Sequence, residues 1–331
     1  MRKSRLFLII GYCASLLGQQ VGPAAIGSGY VLPAPFSAAP GQLVTVVVQG
    51  LASSLTQTVH APANADLPNK LAGLTATYWQ GAPRPAPMLE VHPFTTRRGP
   101  YPWAQGSKLV AITIQIPFEV NSYPSLGPEL GGYAAPILGI SEEGSGGLEI
   151  DFEAFADQVH ILTSCDSFMT GANSAPFNPT GLPCPSIVAH ADGSLITVKK
   201  PASPGEVVVA YAVGLGQTNP ALATGKLVTS AAPTQTTFGL DFNFRPNALP
   251  TKPLPSAPPP LFAGATPGYV GLYQVNFVIP PVPAGTPTCV EPPVFPLRQS
   301  QNVVQSNLTV SVGGVYSFDG ARICVAVPTK E

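Results

Sequence analysis

The sequence predicts an all-β protein built as two tandem sandwich units, and three observations carry that prediction. The chain of 331 residues holds 40 prolines and 33 glycines, residues that punctuate turns and disfavour helix interiors. Its clearest apolar segments alternate at a period of two, the spacing of a strand with one face buried. One strand with its entry turn is also written twice. Ala39 to Leu51 (APGQLVTVVVQGL) aligns without a gap on Ser203 to Leu215 (SPGEVVVAYAVGL), placing Pro40 on Pro204, Gly41 on Gly205 and Gly50 on Gly214. A chain of this length can form two domains that each bury a core.

Taken in order, the chain opens with Arg2, Lys3 and Arg5 and an apolar run from Leu6 to Leu17, too short to span a bilayer. Residues 1–20 read as a secretory signal peptide, with cleavage expected between about Gly18 and Ala25. Cys13 follows the bulky Tyr12, so it reads as an apolar residue of that segment rather than a lipid anchor. No transmembrane span is expected in the mature chain.

The first unit is expected over residues 31–163. Its duplicated strand places Val44, Val46 and Val48 on one face, matching Val208, Ala210 and Ala212 in the second copy. Leu71 to Trp79 is a second strand, ending at Gln80-Gly81. Leu109 to Pro117 alternates most cleanly, with Val110, Ile112, Ile114 and Ile116 inward and Ala111, Thr113 and Gln115 on the other face. Its twin, Leu272 to Pro280, sets Tyr273, Val275, Phe277 and Ile279 against a wet face of Gln274 and Asn276. Ile137 to Ile140 precedes Gly146-Gly147, and Val159 to Leu162 is expected to close the first unit. Only Glu153 to Gln158 has a briefly helical look.

The second unit is expected over residues 187–331 and ends in two strands around Gly313-Gly314 and Asp319-Gly320. Short strands spaced by turn signals describe two tandem immunoglobulin-like β-sandwiches. Residues 164–186 form a linker loop, and Arg245 to Pro260 is expected to be an extended, polyproline-like surface insertion. Without the signal peptide four cysteines remain, an even number that favours disulfides in an exported chain. Pairing sequence neighbours gives Cys165 with Cys184, clipping the linker, and Cys289 with Cys324; the other pairings would tie the units together.

The run PGEVVVAYAVGLG, followed by VGLYQVNFVIP and NLTVSVGG and preceded by HADGSLIT (His190 to Thr197), resembles the Solibacter-type uncharacterised C-terminal domain family of exported acidobacterial proteins. The resemblance covers Ser186 to Val327 and, more faintly, the first unit, so that the family's domain would stand here as a tandem pair. It implies an immunoglobulin-like fold of the IPT/TIG kind in an exported accessory domain, and carries over no catalytic or binding residues.

Chemistry-bearing residues are few. His190 and Asp192 are the one close His/Asp pair, but Asp192-Gly193 reads more simply as a turn, and no G-x-S-x-G elbow supplies a nucleophile. His60, His92, His160 and His190 are far apart without a metal-ligand spacing, so no metal, cofactor or catalytic residue is expected. Glu142, Glu143, Glu149, Asp151, Glu153 and Asp157 form the densest charge; calcium would suit such oxygens, but a solvated edge that discourages aggregation is the simpler reading. Trp79, Tyr101 and Trp103 are a candidate aromatic platform for a sugar ring, set against ordinary packing.

Charged residues are only 10% of the chain, against roughly 25% in an average soluble domain. The net charge is −1 and the cations are scattered, which argues against a nucleic-acid partner. The expectation is a non-catalytic exported protein, extracellular, cell-surface or periplasmic, that contacts other surface proteins or extracellular glycans, with a carbohydrate-binding module as the alternative.

Overall fold

The structure, a computed structural model, describes residues 22–27, 36–95, 106, 108–122, 135–143, 147–164, 166, 184–291 and 304–327. It is all-β, and the described residues contain no helix. The first half carries β1 (Gly22–Gly27), β2 (Phe36–Ala38), β3 (Leu43–Gln49), β4 (Val59–His60), β5 (Lys70–Leu71), β6 (Leu74–Gln80), β7 (Ala82–Pro85), β8 (Met88–Thr95), β9 (Lys108–Gln115), β10 (Ile137–Glu142) and β11 (Gly147–Ala154). The second half carries β12 (His160–Ile161), β13 (Val188–Ala189), β14 (Val207–Val213), β15 (Ala232–Pro233), β16 (Gly239–Asn243), β17 (Phe262–Ala265), β18 (Tyr273–Val278), β19 (Leu308–Gly313) and β20 (Phe318–Ile323).

Each half is sandwich-like, with two sheets around its own core. In the first, a sheet ordered β1-β3-β9-β8-β4 faces one ordered β2-β11-β10-β6-β5, with β7 paired to β6. Val44, Val46, Val48, Ile112 and Ile114 from one sheet meet Leu74, Tyr78, Leu138, Ile150 and Phe152 from the other. In the second, a sheet ordered β12-β14-β18-β17-β15 faces the three strands β16-β19-β20. There Val208, Ala210, Ala212, Tyr273, Val275 and Phe277 meet Leu240, Val310, Val312 and Ile323. The inward parity expected for both pairs of long strands is therefore the observed one.

The two halves share more than parity. Val44 lies opposite Ile114 and Val46 opposite Ile112, while Val208 lies opposite Phe277 and Ala210 opposite Val275, so the aligned strands pair in the same register. Ala38 pairs in parallel with Ala154, and its aligned partner Ala202 pairs in parallel with Val325. The entry turns match as well. Gln42 N–H donates to Ala39 O at 3.2 Å and Glu206 N–H to Ser203 O at 3.1 Å, and Gly41 and Gly205 hold φ of 77° and 81°. Proline followed by a residue of positive φ is the chemistry of a type II turn, which is why Pro-Gly stands at both places.

The structure departs from expectation in seven places. Leu71 to Trp79 is not one strand, because Ala72 and Gly73, with φ of 51° and 79°, turn β5 back onto β6. Asp319-Gly320 is not a turn but lies inside β20, opposite Val312 and Ser311. Val159 to Leu162 does not close the first sandwich: β12 pairs with β14, and Val159 and Ile161 pack in the second core, so both ends of the 164–186 segment, bridged at Thr163 and Ser186, belong to the second half and the segment does not link the two units. β1 begins before residue 31, inside the expected cleavage window, and pairs with β3. Glu153 to Gln158 is not helical, because Glu153 and Ala154 complete β11 and Phe155 N–H continues that line by donating to Ala38 O at 3.0 Å. Ala111, Thr113 and Gln115, on the outer face of β9, are as buried as the inner residues. Arg245 to Pro260 is extended but not free: Thr309 Oγ1 donates to Ala248 O at 2.8 Å and Thr251 N–H to Ser311 Oγ at 3.1 Å. That strap covers the outer side of β19, burying Thr309 and Ser311.

An apolar seam joins the halves. Leu43 and Leu67 from the first pack with Leu162, Ile187, Val213 and Val270 from the second. Gln115 bridges it, its Nε2 donating to Gly41 O at 3.2 Å and its Oε1 accepting Gly225 N–H at 2.6 Å. Cys289 and Cys324 are disulfide-bonded, as expected. Cys184 is also in a disulfide, while its expected partner Cys165 lies outside the described residues, as does the signal segment. Among the described residues no helix is long and apolar enough to cross a membrane.

Candidate functional site

The outer face of the β7-β6-β10-β11 sheet is where an exposed aromatic ring and carboxylates unpaired among the described residues coincide. Strand alternation sends Tyr78, Leu138 and Ile150 inward and leaves Trp79, Ile137 and Asp151 outward as one cross-strand row. Thr77, Gly139 and Glu149 form the next row, and Pro83 and Pro85 of β7 extend the two rows on the other side. Trp79 lies on Gly139: a Cβ placed there would stand 2.3 Å from Cζ3 and 2.7 Å from Cη2 of the indole. Only glycine leaves room there for the edge of the ring. The indole remains 36% exposed, and its N–H has no partner among the described residues. Glu149 and Asp151 are exposed and likewise unpaired among the described residues. Of the expected platform, Trp79 is thus placed on a sheet face, while Tyr101 and Trp103 lie outside the described residues.

The acidic cluster is dispersed by the fold. Glu149, Asp151 and Glu153 do share one face of β11, as their alternation requires. Glu142 instead accepts Ala52 N–H at 3.0 Å, and Glu143 pairs with Lys70 at 2.5 Å, which holds its carboxyl below the usual range. Asp157 is fully buried at the junction of the halves, where it accepts the backbone N–H groups of Val315, Tyr316 and Ser317. Among the described residues no three His, Cys, Asp or Glu side chains are arranged to hold a metal ion.

His190 does not partner Asp192. Its Nδ1 lies 2.5 Å from Glu206 Oε1 and its Nε2 3.2 Å from the Lys200 carbonyl, so the ring fastens the HADG turn to the Pro-Gly entry turn of β14. Asp192 accepts from Ser194 N–H at 2.9 Å and from Lys200 at 2.8 Å; Lys200 and Ser194 hold its carboxyl well below the carboxylate range. These are turn-fixing bonds.

Strand pairing assembles two histidine groups that sequence distance concealed. On the outer side of β4 and β8, His60 lies 3.1 Å from Glu90 and His92 Nδ1 2.7 Å from Thr58 Oγ1, beside a hollow of about 330 Å³. Burial pushes the Glu90 carboxyl up despite His60 and pulls His92 down. His160 sits between Asp166 at 3.0 Å and Asp319 at 3.2 Å. Burial opposes its charge, but the two carboxylates outweigh that and raise it to about 9. The one available signal was the i, i+2 spacing of Glu90 and His92, which says they share a face but not what faces them.

A groove of about 310 Å³ follows the seam, lined by Asp66, Asn69, Arg84, Glu119, Thr224 and Lys226. Lys226 pairs with Asp66 at 2.7 Å and Thr224 donates to Glu119 at 2.6 Å, so most of its polar groups join the two halves. Compared with models of protein families and with curated proteins, the chain matches none.

Proposed function

We propose that this chain is an exported, non-catalytic interaction protein, two immunoglobulin-like sandwiches of duplicated origin acting at the cell surface, in the periplasm or outside the cell. The observation that carries this reading is the joint between the halves. An apolar seam, Gln115, the Asp66–Lys226 pair and the buried Asp157 hold two separately cored sandwiches in one arrangement, which presents their outer faces as a fixed composite surface. The matching registers support the duplication, and the disulfides support an oxidising compartment. The resemblance of the second half to the Solibacter-type C-terminal domain family agrees with an accessory role.

A carbohydrate-binding module is the second reading, favoured by one observation: the Trp79 indole lying on an exposed sheet face. The test is to incubate the mature chain with the producing cell's envelope fraction and with extracellular polysaccharides and to measure saturable retention. Retention by the envelope is the expected result. No retention, or turnover of a substrate in either fraction, overturns the first reading.

A further inference from the structure

We propose that the outer face carrying Trp79, Glu149 and Asp151 binds the protonated amino sugar of an extracellular glycan, an inference that rests on the interaction reading and narrows it to one face and one ligand class. Gly139 sets the position of the ring. A Cβ there would strike the Cζ3–Cη2 edge of the indole, so glycine at this position seats the ring edge against β10 while Trp79 stays 36% exposed. A partly exposed indole offers a stacking surface for the C–H face of a pyranose. Because strands in a sheet stand about 4.8 Å apart, Glu149, directly opposite Gly139, comes one strand beyond the far edge of the ring. Asp151 stands opposite Ile137, the cross-strand neighbour of Trp79.

The charge then selects among sugars. Glu149 and Asp151 have no cation partner among the described residues, so the face is an indole bordered by two uncompensated carboxylates. An ammonium group gains from both, through the ring quadrupole and through the carboxylates. A uronate or sulfated sugar is repelled by the same pair, and an N-acetylated or neutral hexose keeps only the stacking. The indole N–H, which has no partner among the described residues, and the Thr77 hydroxyl add a donor and a donor–acceptor for ring hydroxyls. All these groups stand on paired strands, so little ordering is needed on binding.

The test uses the mature chain with Trp103→Phe, which leaves Trp79 as the single tryptophan of the two in the sequence. Oligomers of glucosamine, N-acetylglucosamine and a polyuronate, and oligolysine, are titrated by indole fluorescence and calorimetry. The expected result is saturable binding of the glucosamine oligomer with a change in indole emission, at least about ten-fold weaker binding of the acetylated oligomer, and none of the polyuronate. Glu149→Gln and Asp151→Asn, both exposed, each weaken binding several-fold with unchanged unfolding curves. Gly139→Ala weakens it by displacing the ring from β10, and Trp79→Ala abolishes it. The inference is overturned if glucosamine oligomers fail to bind, if binding survives Trp79→Ala, or if oligolysine binds as tightly with the same dependence on Trp79, which would make the face a polypeptide site. Envelope retention that persists in Trp79→Ala, with no glucosamine binding, rejects the platform and leaves the broader reading standing.

Discussion

Removing the Asp157 carboxylate tests how the two halves are held together. Asp157 has no solvent exposure; Oδ2 accepts Val315 N–H at 2.8 Å, and Oδ1 accepts Ser317 N–H and Ser317 Oγ at 2.9 Å and Tyr316 N–H at 3.2 Å. One side chain in the connection from β11 to β12 thus organises the turn between β19 and β20. Asp157→Ala leaves four donors facing a void. A buried unsatisfied donor costs roughly 1–3 kcal/mol, and because the four share one acceptor and part of the turn can relax, the total comes to about 3–5 kcal/mol. Asp157→Asn keeps the shape but turns an amide toward the N–H groups, with an expected loss of about 2–4 kcal/mol. Urea unfolding gives the loss as a shift in midpoint at constant slope, and hydrogen exchange at residues 315–317 reports the turn directly. If Asp157→Asn unfolds within about 0.5 kcal/mol of wild type and those amides stay protected, the carboxylate is not the anchor of the turn.

Three further outcomes follow from the same packing. His160 binds its proton more tightly folded than unfolded, so its contribution is complete below its ordinary pKa near 6.5 and is lost as pH rises through about 9. Stability should therefore fall by up to about 3 kcal/mol across that window, and His160→Gln should flatten the fall; a wild-type urea midpoint that does not drop there contradicts the assignment. Cys289→Ser opens a loop closed over a separation of 35 residues, for which chain entropy gives a loss of about 4 kcal/mol, read as a lower melting temperature. Gln115→Ala strands Gly225 N–H and Gly41 O in the seam; a loss of about 1–3 kcal/mol with earlier proteolytic cutting between the halves is expected, and wild-type resistance would show that the seam does not need it.

What the sequence determined by itself is local. Alternation in Val44 to Val48, Ile112 to Ile116 and Tyr273 to Ile279 decides which side chains face inward, because successive side chains in a strand point to opposite faces whatever the partner. Pro-Gly at 40–41 and 204–205 decides the turns, because proline sets one dihedral and glycine permits the next. The doubled pattern told where both central strand pairs would lie.

Only the tertiary structure decided which partner each strand would take. Val159 to Leu162 has the pattern of a strand, but nothing local says whether it belongs to the sheet before it or the one after; pairing with β14 and burial of Val159 and Ile161 place it in the second half. The composition of Arg245 to Pro260 makes it extended, whereas its place over β19 depends on acceptors and donors from Thr309 and Ser311 far along the chain. The same holds for the candidate site. Trp79 was legible as an aromatic at a strand end, but its use depends on Gly139 at the ring's edge and Glu149 beyond, which strand pairing alone brings together. Side-chain alternation is a property of one strand, while the residue across from it is set by how whole sheets close around a core, and that information is spread over the entire chain.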